Sequence, residues 1–489
     1  MIDYKNILKY TMCLCAMIAL FYATKSYTAP VFVLIALGAL FAHRLKLVVL
    51  CSLMFLFVVL ISRFILGRQD IVMLSDRAWI VLSGILLPFF AQNRNSGIAL
   101  PFAGLYAYFI YSFLPSSFGY CPRVSYYKLI FILVFLSSIV AMCKAMANTR
   151  GLPFAVRDFI WAICIVLLLG SLAVLPFPAI AYPLNSQWLF KEGMDVASVN
   201  AAMRETASDG GMLLFAGITL HSQMLAPMVG IVFAFLLCDM LFIEKKMCKW
   251  HIVFMGISVV FAYMTRSRTA LVTIIAAIFS CSFIVFNGVR LPPRLVQRLK
   301  TALAVLCILG VMAGVVLELR SNLISSWLYK GVDKREDALV AMTASRMGAV
   351  EEMMNDFKKN PIIGCGFQVN RDSARFADQL LVFSAPVEKG VTPLVILSEG
   401  GIIGAMIFLG FLVSFFSACL KRKYYSTLVM LTSFLAVNLG EGILFSPGGV
   451  GGFIWGIVLL GGLSIDFCRR EIDFADMSFY GNYAYRLDR

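Results

Sequence analysis

Apolar runs long enough to cross a bilayer recur along the whole chain, each closed by a charged or turn-rich break. A helix spanning about 30 Å of hydrocarbon needs roughly 20 mostly apolar residues. Windows of that kind fall at 7–25, 28–42, 46–67, 78–92, 97–115, 127–147, 158–180, 223–243, 250–265, 269–288, 301–319, 392–418, 426–445 and 449–467. None alternates with period 2, and lipid admits only helices and closed barrels. The pattern therefore predicts an all-α polytopic membrane protein of about 14 transmembrane helices, with one long, partly helical external loop.

Composition agrees with the pattern. The chain is 61% hydrophobic and 14% charged, with a mean hydropathy of +0.87, where soluble domains are roughly 45–50% apolar. Lys and Arg concentrate in alternate short loops, namely HRLK, AQNRNS, MCKAMANTRG with Arg157, EKKMCKW, RLPPRLVQRLK, KRKYY and the tail opening CRRE. That asymmetry places both chain ends in the cytoplasm. It also accounts for most of the net charge of +15, so no nucleic-acid partner is implied. The first apolar run lacks a small-residue cleavage site and reads as an anchor.

These breaks divide the chain into N-terminal transmembrane helices (1–180), central transmembrane helices with a short external segment (181–319), a large external loop (320–391), C-terminal transmembrane helices (392–467) and a cytoplasmic tail (468–489). Of the 13 cysteines only Cys121 and Cys365 are expected outside. A disulfide between them and two separate thiols are both open.

Within the large loop, DALVAMTASRMGAVEEMMNDFKKN reads as a helix with Met347, Val350, Met354 and Phe357 on one apolar stripe. Asn360 before Pro361 ends it. Gly364 and Gly366 follow, suiting either a close backbone approach or a helix-terminating turn. Arg346 sits beside the stripe, and Glu388 and Lys389 stand just outside the next membrane helix. Glu399 lies about two turns inside that helix. A carboxylate there is costly, so it is either functional or the partner of a nearby arginine.

The shorter external segment carries Arg204, Asp209 and His221, the one external histidine, since His43 and His251 fall in cytoplasmic loops. No zinc pattern and no Asp-rich DxD element can be assembled outside, so neither a metal nor a cofactor is expected. Helices ending near 265 and starting near 269 make a tight external hairpin bearing Arg266 and Arg268. Arginines at that depth either snorkel to headgroups or grip phosphate through a planar fork that never loses its charge. A pyrophosphate on a lipid tail would suit the second role.

The run TRSRTAL, the loop SRMGAVEEMMNDFKKNPIIGCGF and the helix opening ILSEGGIIG together resemble the bacterial O-antigen ligase and polymerase family. FAGITLHSQMLA is similar to that family's Gly-x-x-x-x-Pro-Asn-x-Leu-Gly region, with His221 and Ser222 in place of Pro-Asn. The likeness covers roughly residues 210–405. It implies a C-type membrane glycosyltransferase of the bacterial inner membrane, its active site facing the periplasm, drawing on an undecaprenyl-pyrophosphate-linked glycan without metal. Carried over, Arg268 and Arg346 hold the donor pyrophosphate, with Arg266 assisting. Gly364, Gly366, Lys389, Glu399 and Arg204 are supporting residues.

Where the family's ligases have His-Asn before the Gly-x-x-Gly helix, this chain reads Val387, Glu388, Lys389 and Gly390. That departure points to the polymerase branch, with a flippase and a chain-length regulator as partners, and makes Glu388 the first candidate base and His221 the second. Two other readings stand beside it: a ligase or O-oligosaccharyltransferase using the same donor, and a flippase for lipid-linked oligosaccharides. The structured external loop and the lack of two similar halves favour an enzyme.

Overall fold

The computed structural model describes residues 4–24, 99–177, 215–219, 222–246, 248–265, 267–287, 347–369, 391–440, 442–445 and 450–473. Among these residues every regular element is a helix and no strand occurs. In chain order they are α1 (Tyr4–Thr24), α2 (Ala99–Tyr111), α3 (Phe113–Ser117), α4 (Pro122–Asn148), α5 (Leu152–Ala173) and α6 (Ser222–Asp239), which runs into a π turn at Met240–Glu244. Next come α7 (Lys249–Met264), α8 (Arg268–Asn287), α9 (Met347–Lys359), α10 (Thr392–Lys421), α11 (Tyr425–Asn438) and α12 (Val450–Gly456), the last continuing through a second π turn to residue 473.

Among the described residues, five stretches are long and apolar enough to cross a membrane: Pro122–Asn148, Leu152–Ala173, Met224–Glu244, Arg268–Val285 and Thr392–Lys421. Helices α7 and α11 are apolar but shorter. The expected spans at 28–42, 46–67, 78–92 and 301–319 lie outside the described residues. The expected span 97–115 is divided at Ser112 into α2 and α3.

Helix α6 is the hub. It is apolar all round, so it is stable only when other helices cover every face, and its membrane window is wholly buried. Glycine allows close helix crossings in the bundle: a Cβ at Gly230 of α6 would lie 2.8 Å from Thr273 Cβ on α8, and one at Gly104 of α2 would lie 2.9 Å from Phe411 Cα on α10. Small residues at helix crossings are how membrane bundles gain contact where no water drives association. By contrast α8 exposes Ile275, Phe279 and Phe283, and α10 exposes Met406, Leu409 and Val413. Their spacing of three to four residues makes one outward stripe on each helix, suited to acyl chains.

The bundle end away from Arg268 differs from the sequence expectation. Arg157 and His251 are not loop residues: Arg157 lies in α5, His251 lies in the first turn of α7, and both are fully buried. The reason is Asp239, also fully buried, which one side chain alone would leave undersatisfied. Arg157 donates Nε to Asp239 Oδ1 at 2.5 Å and Nη2 to Oδ2 at 2.9 Å, while Trp161 Nε1 and His251 Nε2 meet Oδ2 at 2.9 and 3.0 Å. Arg157 Nη2 also reaches Glu244 Oε1 at 3.2 Å.

Residues five apart on a regular α-helix point about 140° away from each other. The π turn Met240–Glu244 widens that turn, so Asp239 and Glu244 converge on one guanidinium. Removing one member of such a buried set leaves its partners charged in an apolar interior. Asp239→Asn is therefore expected to destabilise the protein by about 3–5 kcal/mol. Thermal unfolding in detergent checks this, and an unchanged Tm would mean the cluster is incidental to stability.

Candidate active site

At the opposite end, a short turn and a membrane helix are built into each other. After α9 ends at Lys359, residues 361–369 run against α10 where that helix is interrupted at Gly401 (φ 63°, ψ −164°). An interruption at membrane depth releases backbone groups that lipid cannot bond. Here the turn takes them up on both sides: Cys365 N donates to Ser398 O at 2.9 Å and Gly366 N to Glu399 O at 3.2 Å, while Ile402 N donates to Pro361 O at 2.9 Å and Ile403 N to Ile362 O at 3.3 Å.

The glycines make that approach sterically feasible. Gly364 has φ +92°, and a Cβ there would lie 2.3 Å from Glu399 O; a Cβ at Gly401 would lie 2.3 Å from Ile362 O. Both readings left open hold at Gly364: its N–H donates to Asn360 O at 2.9 Å, closing the turn that ends α9, and its Cα meets the backbone of α10. Gly366 shares the positive φ, at +105°.

Residues that the sequence reading passed over hold this turn in place. The Tyr111 hydroxyl lies between Ile363 O (3.2 Å) and Gly400 O (3.1 Å) and shares its one proton between them, tying turn and break together. Phe367 is gripped at both backbone atoms, its N–H by Ser116 Oγ (3.1 Å) and its carbonyl by Ser125 Oγ (2.9 Å). Buried Lys128 donates to Gln368 O at 3.0 Å, and the Gln368 amide donates to Phe445 O. Lys128 was detectable, because an ionisable residue within an apolar run marks an internal contact. Tyr111 and the two serines carried no such signal.

The loop helix is turned relative to the expected stripe. Met353 and Asp356 are buried at 3% and 1% exposure, whereas Met354 is exposed. A polar anchor decides the rotation: Tyr120 Oη donates to Asp356 Oδ1 at 2.5 Å, and Cys365 Sγ to Asp356 O at 3.3 Å. Cys121 and Cys365 are both buried, and no disulfide joins them.

Glu399 sits in the break itself, 2% exposed. The hydroxyl of buried Tyr108 lies near enough to interact with it electrostatically. Arg268 is the first residue of α8, half-buried, at the hairpin that follows α7, whose C-cap Thr265 donates Oγ1 to Ala262 O at 2.9 Å in the last turn. Beneath the hairpin, Phe215 N donates to Met264 O at 3.4 Å, and Gly217 (φ +58°) turns the chain against Ser171. A Cβ on Gly440, just past α11, would touch Thr269 Cγ2 at 2.7 Å, while Thr392 Oγ1 donates to Asn438 Oδ1 at 3.1 Å. Arg268, the α11 terminus and the start of α10 thus belong to one end of the bundle, the end that also holds the turn.

Arg346, Arg266, His221, Glu388, Lys389 and Arg204 lie outside the described residues. Among the described residues no group of three His, Cys, Asp or Glu side chains could hold a metal ion.

The interrupted helix, the carboxylate beside the interruption and the hairpin arginine at the same end belong to an apolar, all-helical bundle of the multi-pass membrane class. Within it, residues 253–409 match the model of the O-antigen ligase family, so this stretch carries that family's domain and is consistent with the O-antigen ligase and polymerase family. The match runs from α7 through Arg268 and the turn to the second half of α10, and implies glycosyl transfer of the ligase or polymerase type on lipid-linked glycans. No curated protein matches the chain.

Proposed function

We propose that the protein is a polymerase that joins undecaprenyl-pyrophosphate-linked oligosaccharide repeat units into a cell-surface polysaccharide, at the periplasmic face of the bacterial inner membrane. The observation that carries the reading is the placement of Arg268 at the same end as a rigidly built turn and a buried carboxylate, all within the stretch matched to O-antigen ligase. Arg268 and Arg346 bind the pyrophosphate and offset the charge that develops as it leaves, with Arg266 assisting; no nucleotide or metal is then required. Arg268 heads α8, so the helix terminus adds its own preference for an anion.

The acceptor hydroxyl must lose a proton as it attacks, and Glu388 is the first candidate to take it, with His221 second. Glu388 stands in place of the ligase histidine, which is what favours polymerase over ligase. Lys389, Arg204 and Glu399 support the site, and a flippase and a chain-length regulator supply and terminate the chain.

Purified protein given a lipid-linked repeat unit, without nucleotide or metal, should produce ladders. A single addition to a non-prenyl acceptor would replace polymerase with ligase. Labelled lipid crossing a liposome bilayer without any product would replace the enzyme with a transporter. Glu388→Gln should lower ladder formation by about 10²–10⁴-fold, and a comparable loss in His221→Gln with Glu388→Gln active would transfer the base to His221.

A further inference from the structure

The Arg157–Asp239–His251 cluster, at the end away from the proposed site, has one face that the packing does not use. His251 Nε2 is fixed on Asp239 Oδ2, whereas its other ring nitrogen, Nδ1, is buried and makes no hydrogen bond among the described residues. Asp239 and Cys248 act electrostatically on this ring, and Trp161 packs edge-on against it with the ring centroids 4.8 Å apart. Cys248 is the N-cap of α7, with extended backbone (φ −91°, ψ 135°), and its carbonyl accepts the first-turn bond from Ile252 N at 3.3 Å. His251 is three residues on, the N-cap to N3 spacing at which side chains meet.

That spacing sets the Cys248 thiol on the turn below a ring whose far nitrogen is held by Asp239, bringing together the residue types of nucleophile, base and orienter. Cys248 is also partly accessible, and the sulfur lies 3.8 Å from Tyr4 Oη. Around it Lys246, Lys249 and Trp250 are exposed, marking an interfacial rim that polar solutes reach.

We propose that Cys248 is an activated thiol and a covalent modification site for low-molecular-weight disulfides, separate from the glycan site. In the step, the thiol proton passes to His251 Nδ1, Cys248 Sγ attacks one sulfur of the disulfide, the S–S bond breaks, and the departing thiolate takes up the proton. The product is a mixed disulfide on Cys248 and one free small thiol. Charged and titratable groups facing the pair are Asp239 and Glu244 from α6 and its π turn, Arg157 from α5 and Tyr4 from α1. Burial raises the Cys248 thiol, but His251, the Trp250 amide and Tyr4 outweigh it and hold the thiol below the ordinary cysteine range.

Dipyridyl disulfide added to the full chain in detergent at about pH 6.5, roughly two units below an ordinary thiol, tests this by mass mapping of the modified peptide. The reference is a thiol on the same rim, Lys246→Cys with Cys248→Ser. Cys248 should react at least about tenfold faster than the reference, and His251→Gln should remove that advantage. Equal rates for Cys248 and the reference thiol would overturn the proposal whether or not His251→Gln folds, and so would an undiminished rate in a folded His251→Gln variant. Ladder formation is read separately, so its outcome does not bear on this test.

Discussion

Arg268→Ala is expected to lower glycan transfer by about 10²–10³-fold, the usual loss when one preorganised donor to a developing anion is removed. The fold should be unaffected. A cation at a helix N-terminus opposes the helix dipole at a cost of about 0.3–1 kcal/mol, so Arg268 at the head of α8 does not serve helix stability. Arg268→Lys should recover only part of the rate, because an ammonium keeps the charge but loses the planar fork. Arg346→Ala should show a similar loss. Ladder assays on detergent-purified variants, with Tm measured alongside, check the prediction; normal ladders from both alanine variants would remove the pyrophosphate role.

Gly364→Ala is expected to destabilise the protein by about 2–5 kcal/mol. An L-residue at positive φ costs roughly 1–2 kcal/mol, and forcing a methyl into a filled site costs about 1–3 kcal/mol more. The new Cβ would lie 2.3 Å from Glu399 O, 2.4 Å from its carbonyl carbon and 2.6 Å from Gly400 N, all backbone atoms that cannot swing aside. Relief would require the turn to withdraw from α10, freeing the carbonyls of Ser398 and Glu399 in a region without water. Glycan transfer should fall with stability. Gly410→Ala is the control: nothing lies within 4 Å of a Cβ there, so helix propensity alone should leave Tm unchanged or raised. A Gly364→Ala protein with wild-type Tm would show that turn and helix are not interlocked.

The membrane class could be read directly, because the length of an apolar run and the absence of period-2 alternation are local properties. The end of the loop helix at Asn360 was equally local, since proline restricts the residue before it. The glycine pair signalled that backbone would come close, but its partner lay beyond local reach. Gly364 meets Glu399, and nothing in either short stretch names the other. The break in α10 was hidden for a related reason: Gly400 and Gly401 sit in an apolar run that reads as one continuous helix, and the interruption becomes affordable only when residues 361–366 arrive to bond it.

Charge was where local reading went furthest astray. Arg157 and His251 lie at the margins of apolar runs, where loop and helix are equally allowed by hydropathy, and a lone charge is assigned to water by default. Asp239 overturns that default from another helix. Asp356 did the same to the loop helix, fixing its rotation through Tyr120 against the apolar stripe.

What this sequence determines by itself is the solvent it folds in and the helices that solvent demands, since both follow from short-range composition and period. It also marks the hairpin arginine and the glycine turn as separate points of interest. The tertiary structure alone decided that the turn seals a broken helix, that Glu399 occupies the seal, and that Arg157, Asp239 and His251 share one buried site. Each of those is a pairing across helices, settled by which polar groups must find partners once water is excluded.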